Sequence, residues 1–211
     1  PKMGVLTHRD ARGGFVSLMV YPPNEIEHLP RVPLELIFVV DCSGSMRGEP
    51  LAKAKRAVKR ALRQLGPDDA LQVIRFSNDA STLGPQPIVA TRRNVERAVR
   101  YVDSLEANGG TMMQRGIQRA LDFHHAPERL RFVAFLTDGY IGNEGDILAT
   151  IQRDLGATRI FSFGIGSSPN RYLMERMAKL GRGAVAYVGL NDDPTPIMDT
   201  FLARVRQPAL T

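Results

Sequence analysis

Five oxygen-bearing side chains carry the most distinctive chemistry in this sequence. One apolar run, Leu36 to Val40, ends in Asp41-Cys42-Ser43-Gly44-Ser45, and another, Phe132 to Thr137, ends in Asp138-Gly139. Between them lies Gly109-Gly110-Thr111, a third hydroxyl on a tight glycine-permitted loop. In a loop leaving a strand, alternate residues can turn toward one point, so Asp41, Ser43 and Ser45 converge while Gly44 lets the backbone come close. Two carboxylates and three hydroxyls form a hard oxygen set, which suits magnesium or manganese better than zinc or copper. If the carboxylates act mainly through water, as a reluctantly dehydrated magnesium ion favours, the inner shell is largely neutral and the metal keeps an unsatisfied positive charge. Such a metal attracts an external carboxylate.

Each segment alone has a plainer role. Asp41 and Ser43 belong to the types that cap helices, and Asp138-Gly139 suits an ordinary turn. Together they place the right oxygens in the right order at strand ends, where a doubly wound sheet binds its ligands.

The elements that must position them follow from periodicity. From Leu34 onward, apolar runs alternate with amphipathic helical patterns, as parallel crossover units require. Strands are expected at 34–40, 70–76, 131–137, 159–163 and 184–188, and helices near 50–65, 91–105, 112–125, 144–155, 171–180 and 194–205, with a short edge hairpin in 81–89. Runs such as Leu36-Ile37-Phe38-Val39-Val40 are apolar on both faces, as strands covered by helices on both sides must be. The expected fold is α/β, a doubly wound, mostly parallel central sheet flanked by helices. Residues 1–33, punctuated by Gly13-Gly14, Pro22-Pro23, Pro30 and Pro33, read as a lead-in with one strand at Phe15 to Tyr21. Residues 34–206 form the domain, and 207–211 a tail.

Composition narrows the function classes. The chain has 211 residues, enough for one sizeable core without staples. A single cysteine, Cys42, excludes an intrachain disulfide and a cysteine-based zinc site. No apolar run is long enough to span a membrane as a helix. The opening at Pro1, with no basic stretch leading into an apolar targeting segment, is expected of a piece of a larger protein. The net charge of +6 raises the question of nucleic acid. Most of that charge lies in two helical patterns, Lys53, Lys55, Arg56, Lys59, Arg60 and Arg63, then Arg92, Arg93, Arg97 and Arg100. Apolar residues interleave at helical spacing, so these cations read as solvated helix faces. Without tryptophan or aromatic interleaving there is no stacking platform, and no nucleic acid partner is expected.

The motifs resemble a known family. D-x-S-x-S at Asp41, Ser43 and Ser45, G-G-T ending at Thr111 and T-D-G around Asp138 are similar to the von Willebrand factor type A domain and its metal-ion-dependent adhesion site. The resemblance covers about residues 34–206. Phe38 to Met46, Leu65-Gly66-Pro67-Asp68-Asp69 and Phe163-Gly164-Ile165-Gly166 look most like the inter-alpha-trypsin-inhibitor heavy-chain branch. The lead-in ending Tyr21-Pro22-Pro23 is similar to the stretch joining a preceding domain to the type A domain there. The resemblance implies that Ser43, Ser45 and Thr111 touch a divalent metal directly, that Asp41 and Asp138 act largely through water, and that a partner's Glu or Asp completes the shell. It also implies a cell-adhesion or interaction role, favours an extracytoplasmic or cell-surface setting, and allows a membrane-anchored parent protein. Cys42 stands where the family varies, and a buried thiol there is a small structural residue.

Rival chemistries fit less well. A phosphoesterase with Asp41 as nucleophile wants a second aspartate two residues on, where this chain has Ser43. Cys42-Ser43-Gly44-Ser45-Met46 lacks the flanking glycines of a nucleophile elbow. His124 and His125 are adjacent and cannot face one point, and His8 and His28 lie in the lead-in. Gly164-Ile165-Gly166 lacks the third glycine of a dinucleotide fingerprint, because Pro169 stands there. No general base stands out, so binding is favoured over turnover. A metal-dependent phosphoesterase and a structural domain with a loop-stabilising metal remain the alternatives.

Overall fold

The computed structural model describes residues 2–21, 31–139 and 142–206. Its centre is a sheet whose inner strands are parallel. β3 (Leu34–Asp41) is flanked by β4 (Ala70–Phe76) and β7 (Leu130–Thr137), followed outward by β8 (Arg159–Ile165) and β9 (Val185–Val188). Beyond β4, the short β5 (Ala80–Thr82) and β6 (Ile88–Val89) both pair antiparallel with it. The expected edge hairpin is therefore corrected to one interrupted edge: the two pieces lie end to end along β4 rather than against each other, separated by the Gly84–Pro87 turn.

Every residue of β3 is buried, because helices cover both faces. On one face, α1 (Glu49–Leu62), α2 (Arg92–Asp103) and α6 (Pro194–Arg206) pack on Leu34, Leu36, Phe38 and Val40. On the other, α3 (Met113–Leu121), α4 (Glu144–Asp154) and α5 (Arg171–Leu180) pack on Ile37 and Val39. Successive strand residues point to opposite faces, so two separate cores arise from one continuous apolar run. The connection leaving β3 runs to β4 on one side, and the connection leaving β7 runs to β8 on the other. This switch point opens a crevice beyond their carboxyl ends.

Several expectations need correction. The lead-in contains two strands, not one: β1 (Lys2–Asp10) pairs antiparallel with β2 (Gly13–Tyr21) through the Ala11-Arg12 turn. The first was missed because Gly4 and the polar Thr7-His8-Arg9-Asp10 end interrupt its alternation. Residues 22–30 and the expected tail 207–211 lie outside the described residues. The third helix stops at Leu121, short of His125, because the chain turns away to offer the Phe123 and His124 carbonyls to the Arg131 guanidinium. β8 continues two residues past Phe163, extended by its pairing with β9.

The first basic helix is not simply a solvated face. Lys53 is buried, its ammonium donating to the Asp192 carbonyl. Lys59 pairs with Asp103 at the end of α2 (2.5 Å), and Arg60 with Asp199 in α6 (2.8 Å). These cations tie α1 to its two neighbours, which side-chain periodicity cannot reveal. Arg56 and Arg63 remain exposed.

Candidate metal centre

Asp41 closes β3 and is fully buried. Its Oδ1 accepts the Ser43 backbone N–H (2.8 Å) and its Oδ2 accepts the Thr137 hydroxyl (2.5 Å). Thr137 Oγ1 in turn accepts the Gly139 N–H (2.8 Å), so one threonine links the loop after β3 to the loop after β7. Gly139 adopts φ of 73°, a conformation that disfavours a side chain, and a Cβ there would lie 3.3 Å from Asn170. This positive φ turns the chain sharply after Asp138.

Ser43 and Ser45 sit with their hydroxyl oxygens 3.0 Å apart, Ser43 buried and Ser45 exposed. Ser43 occupies the cap position of the single 3-10 turn Gly44–Met46, yet its side chain caps nothing. The plain capping role is therefore not what its hydroxyl does. The Thr111 loop is stitched to both neighbours. Gly44 N–H donates to Gly109 O (3.0 Å), Asn108 N–H to Cys42 O (2.8 Å) and Met112 N–H to Ser77 O (2.7 Å). Thr111 itself is half-buried.

Asp138 lies across the crevice and shares with Ser45 a cleft of about 370 Å³ walled by Pro50, Ile165 and Leu190. Its Oδ1 is buried and has no hydrogen-bond partner. A buried carboxylate oxygen without a partner carries an unrecovered desolvation cost, as do His125 Nε2 and Ser162 Oγ among the described residues. Burial pushes the Asp41 carboxyl up to about 6, the Thr137 and Ser43 hydrogen bonds oppose this, and the Asp138 charge adds to it. No cation is among the groups that act on Asp41.

Thus the three loops bring Asp41, Ser43, Ser45 and Asp138 to one crevice and place the Thr111 loop beside them. Two carboxylates, one of them with an orphaned oxygen, and three hydroxyls fit a hard divalent ion, beside a cleft that Arg47 also lines. Among the described residues no group of three or more His, Cys, Asp or Glu is placed to hold a metal, so an ion here depends on hydroxyl oxygens. Cys42 is buried behind the loop, and burial pushes its thiol up to about 12, which keeps it protonated and inert. His124 and His125 precede β7, at the opposite end of the sheet from the crevice.

Sequence reasoning overlooked two supporting residues. Thr137 had a signal, since it stands in the T-D-G triplet. Asn78, whose side chain receives the Gly110 N–H, had none, because it is a lone polar residue in a turn distant in sequence.

Residues 34–187 match the model of the von Willebrand factor type A domain. Human inter-alpha-trypsin inhibitor heavy chain H3 is 32% identical over 197 residues, covering 87% of this chain and 22% of that protein. The chain spans about a fifth of the length of the curated relatives it matches. Among solved structures, a von Willebrand factor type A protein from Catenulispora acidiphila superposes with a TM-score of 0.73 at 26% identity, over 82% of this chain and 42% of the other. Proximal thread matrix protein 1 from the mussel byssus, described with a zinc-occupied MIDAS motif, shares the fold at a TM-score of 0.63 and 15% identity, over 81% and 47% of the two chains.

Proposed function

The chain belongs to the von Willebrand factor type A family, and from that premise we propose that it is a divalent-metal-dependent docking module for an acidic segment of a partner protein. Domains of this family commonly mediate protein interactions and often bind a divalent metal at the strand-end site. Ser43, Ser45 and Thr111 would hold the ion, with Asp41 and Asp138 supporting it through water, and magnesium or manganese suits this oxygen set. The single observation that carries the reading is the buried, partnerless Oδ1 of Asp138 near a fully buried Asp41 on which no cation acts. The metal supplies a positive charge that a Glu or Asp of the partner can meet.

The residues of this chain do the positioning. Thr137 holds Asp41 and the turn after Asp138 in one hydrogen-bonded unit. The buried floor, with Asp41 and Ser43 almost wholly out of solvent, keeps bulk water from competing beneath the ion. The cleft beside Asp138 and Ser45 leaves room for the partner's segment. His124 and His125 lie at the opposite end of the sheet from this crevice, so neither serves it as a general base. We place the module at 34–206.

Titration calorimetry with magnesium chloride tests the reading. One ion per chain should bind to the wild type, and Asp41→Ala should abolish that heat. Wild-type affinity in Asp41→Ala would refute the assignment. With a partner in hand, binding should be lost in chelator and on replacing that partner's acidic contact residue.

A further inference from the structure

We propose that Asn78 is the positioning residue of the Thr111 loop and thereby sets how tightly the strand-end hydroxyls hold a cation, a role that rests on the metal reading above. Asn78 lies in the Ser77–Asp79 turn that follows β4, outside every motif that marks the site. Its Oδ1 accepts the Gly110 N–H at 2.6 Å. One residue before it, the Ser77 carbonyl accepts the Met112 N–H at 2.7 Å. Thr111 is therefore bracketed: the amides on both sides of it donate to the same turn.

The two glycines before Thr111 leave room for the Asn78 side chain. A Cβ at Gly109 would lie 2.7 Å from Asn78 Nδ2, and one at Gly110 would lie 2.9 Å from Asn78 Oδ1. Gly109 also adopts φ of 75°, which would itself disfavour a side chain, whereas Gly110 has no positive φ. A side chain at Gly110 would therefore displace the Asn78 amide. The turn is anchored in its own right. Ser77 N–H donates to Asp79 O at 2.9 Å, Arg75 pairs with Asp79 at 3.0 Å, and Arg115 of α3 donates to the Asn78 carbonyl at 3.3 Å. A fixed turn thus grips a loop of glycines that has little stiffness of its own, and fixes the backbone from which the Thr111 hydroxyl projects. Groups that orient a metal's ligands, without touching the metal, typically change its affinity by roughly 10- to 100-fold when removed.

Asn78 is exposed, so its loss leaves no buried group unpaired and should barely change global stability. This separates positioning from a structural role. In calorimetry with magnesium chloride, Asn78→Ala should weaken wild-type affinity by roughly tenfold. Asn78→Asp, which keeps the acceptor oxygen, should bind within about threefold of wild type. In a Thr111→Ala background, Asn78→Ala should add no further loss, because the hydroxyl it positions is gone. In chelator, hydrogen exchange at the Gly110 amide should quicken by roughly tenfold in Asn78→Ala, with the thermal midpoint almost unmoved. A wild-type protein that takes up no magnesium would overturn the metal reading and this inference with it. Wild-type binding matched by Asn78→Ala, or an equal loss in the Thr111→Ala background, would overturn the role of Asn78 alone.

Discussion

The two ends of the central sheet handle buried charge in opposite ways. At the amino end, Glu35 and Arg131 are each 3% exposed and meet through two contacts of 2.9 and 3.2 Å, and Arg131 also bonds the Phe123 and His124 carbonyls. Nearby, the buried Asp69 receives Arg31, the Leu34 N–H and the Gly66 N–H. Both carboxylates there have donors and each has a guanidinium, while the buried His125 Nε2 at that end has no partner. At the carboxyl end, Asp41 is fully buried with hydrogen bonds but no cation, and Asp138 keeps an oxygen with no partner at all. The same sheet therefore shows that this fold can neutralise a buried carboxylate when stability is the only demand. The other end leaves a buried carboxylate oxygen without a donor, which is the feature the proposed cation site rests on.

Removing one side chain at each end should expose the difference. Arg131→Ala strands a buried Glu35 and should cost about 3–5 kcal/mol in denaturant unfolding, with little change in magnesium affinity if the protein remains folded. A loss below ~1 kcal/mol would mean that the amino end is less tightly paired than its geometry indicates.

The pH dependence should follow from Asp41. Its pKa is near 6 in the folded, metal-free protein against a reference of 3.8, so folding favours its protonated form. Its relative contribution is most favourable below about pH 4, is lost as pH rises toward 6, and the full cost, on the order of 3 kcal/mol, stands above that. Magnesium requires the ionised form, so its affinity should fall as pH drops through about 6. Chemical unfolding of wild type and Asp41→Asn in chelator between pH 4 and 7.5 checks this. Parallel pH profiles for the two proteins would remove Asp41 as the source.

A smaller effect is expected from the charge alone. At pH 7.5 in chelator, Asp41→Asn should gain stability by about 1 kcal/mol, because relief of the ionised carboxylate outweighs one weakened hydrogen bond. Marked destabilisation would show that the metal-free carboxylate is better solvated than its burial implies. Thr137→Val is a gentler probe, keeping the side chain's shape while removing the donor to Asp41 and the acceptor for Gly139. It should weaken magnesium roughly tenfold, read by calorimetry, whereas wild-type affinity would make the Thr137 bridge incidental.

The contrast also explains what could be read from the sequence. The strand-end positions of Asp41, Ser43, Ser45 and Asp138 followed from local apolar runs and the loops that end them, and the structure brings these residues to one crevice. The alternating order of strands and helices was legible because both periods are local. What could not be read depends on neighbours distant in sequence. Lys53 carries no local sign that the Asp192 carbonyl awaits it. The early end of α3 is dictated by Arg131, several residues downstream, and Asn78 acquires its place only when β4 lies beside the Thr111 loop. The first strand lacked clean alternation, and its pairing with β2 appears only in three dimensions.

The most direct test of the central claim is the thermal midpoint at pH 7.5, measured in saturating magnesium and in chelator, for wild type and Asp41→Asn. A ligand at a hundred times its dissociation constant adds about 2.7 kcal/mol to folding. For a chain of this size that corresponds to a rise of roughly 5–10 °C. Wild type should show that rise, and Asp41→Asn should show none. No shift in wild type, or the same shift in both proteins, would contradict the account of the carboxyl end as a cation site.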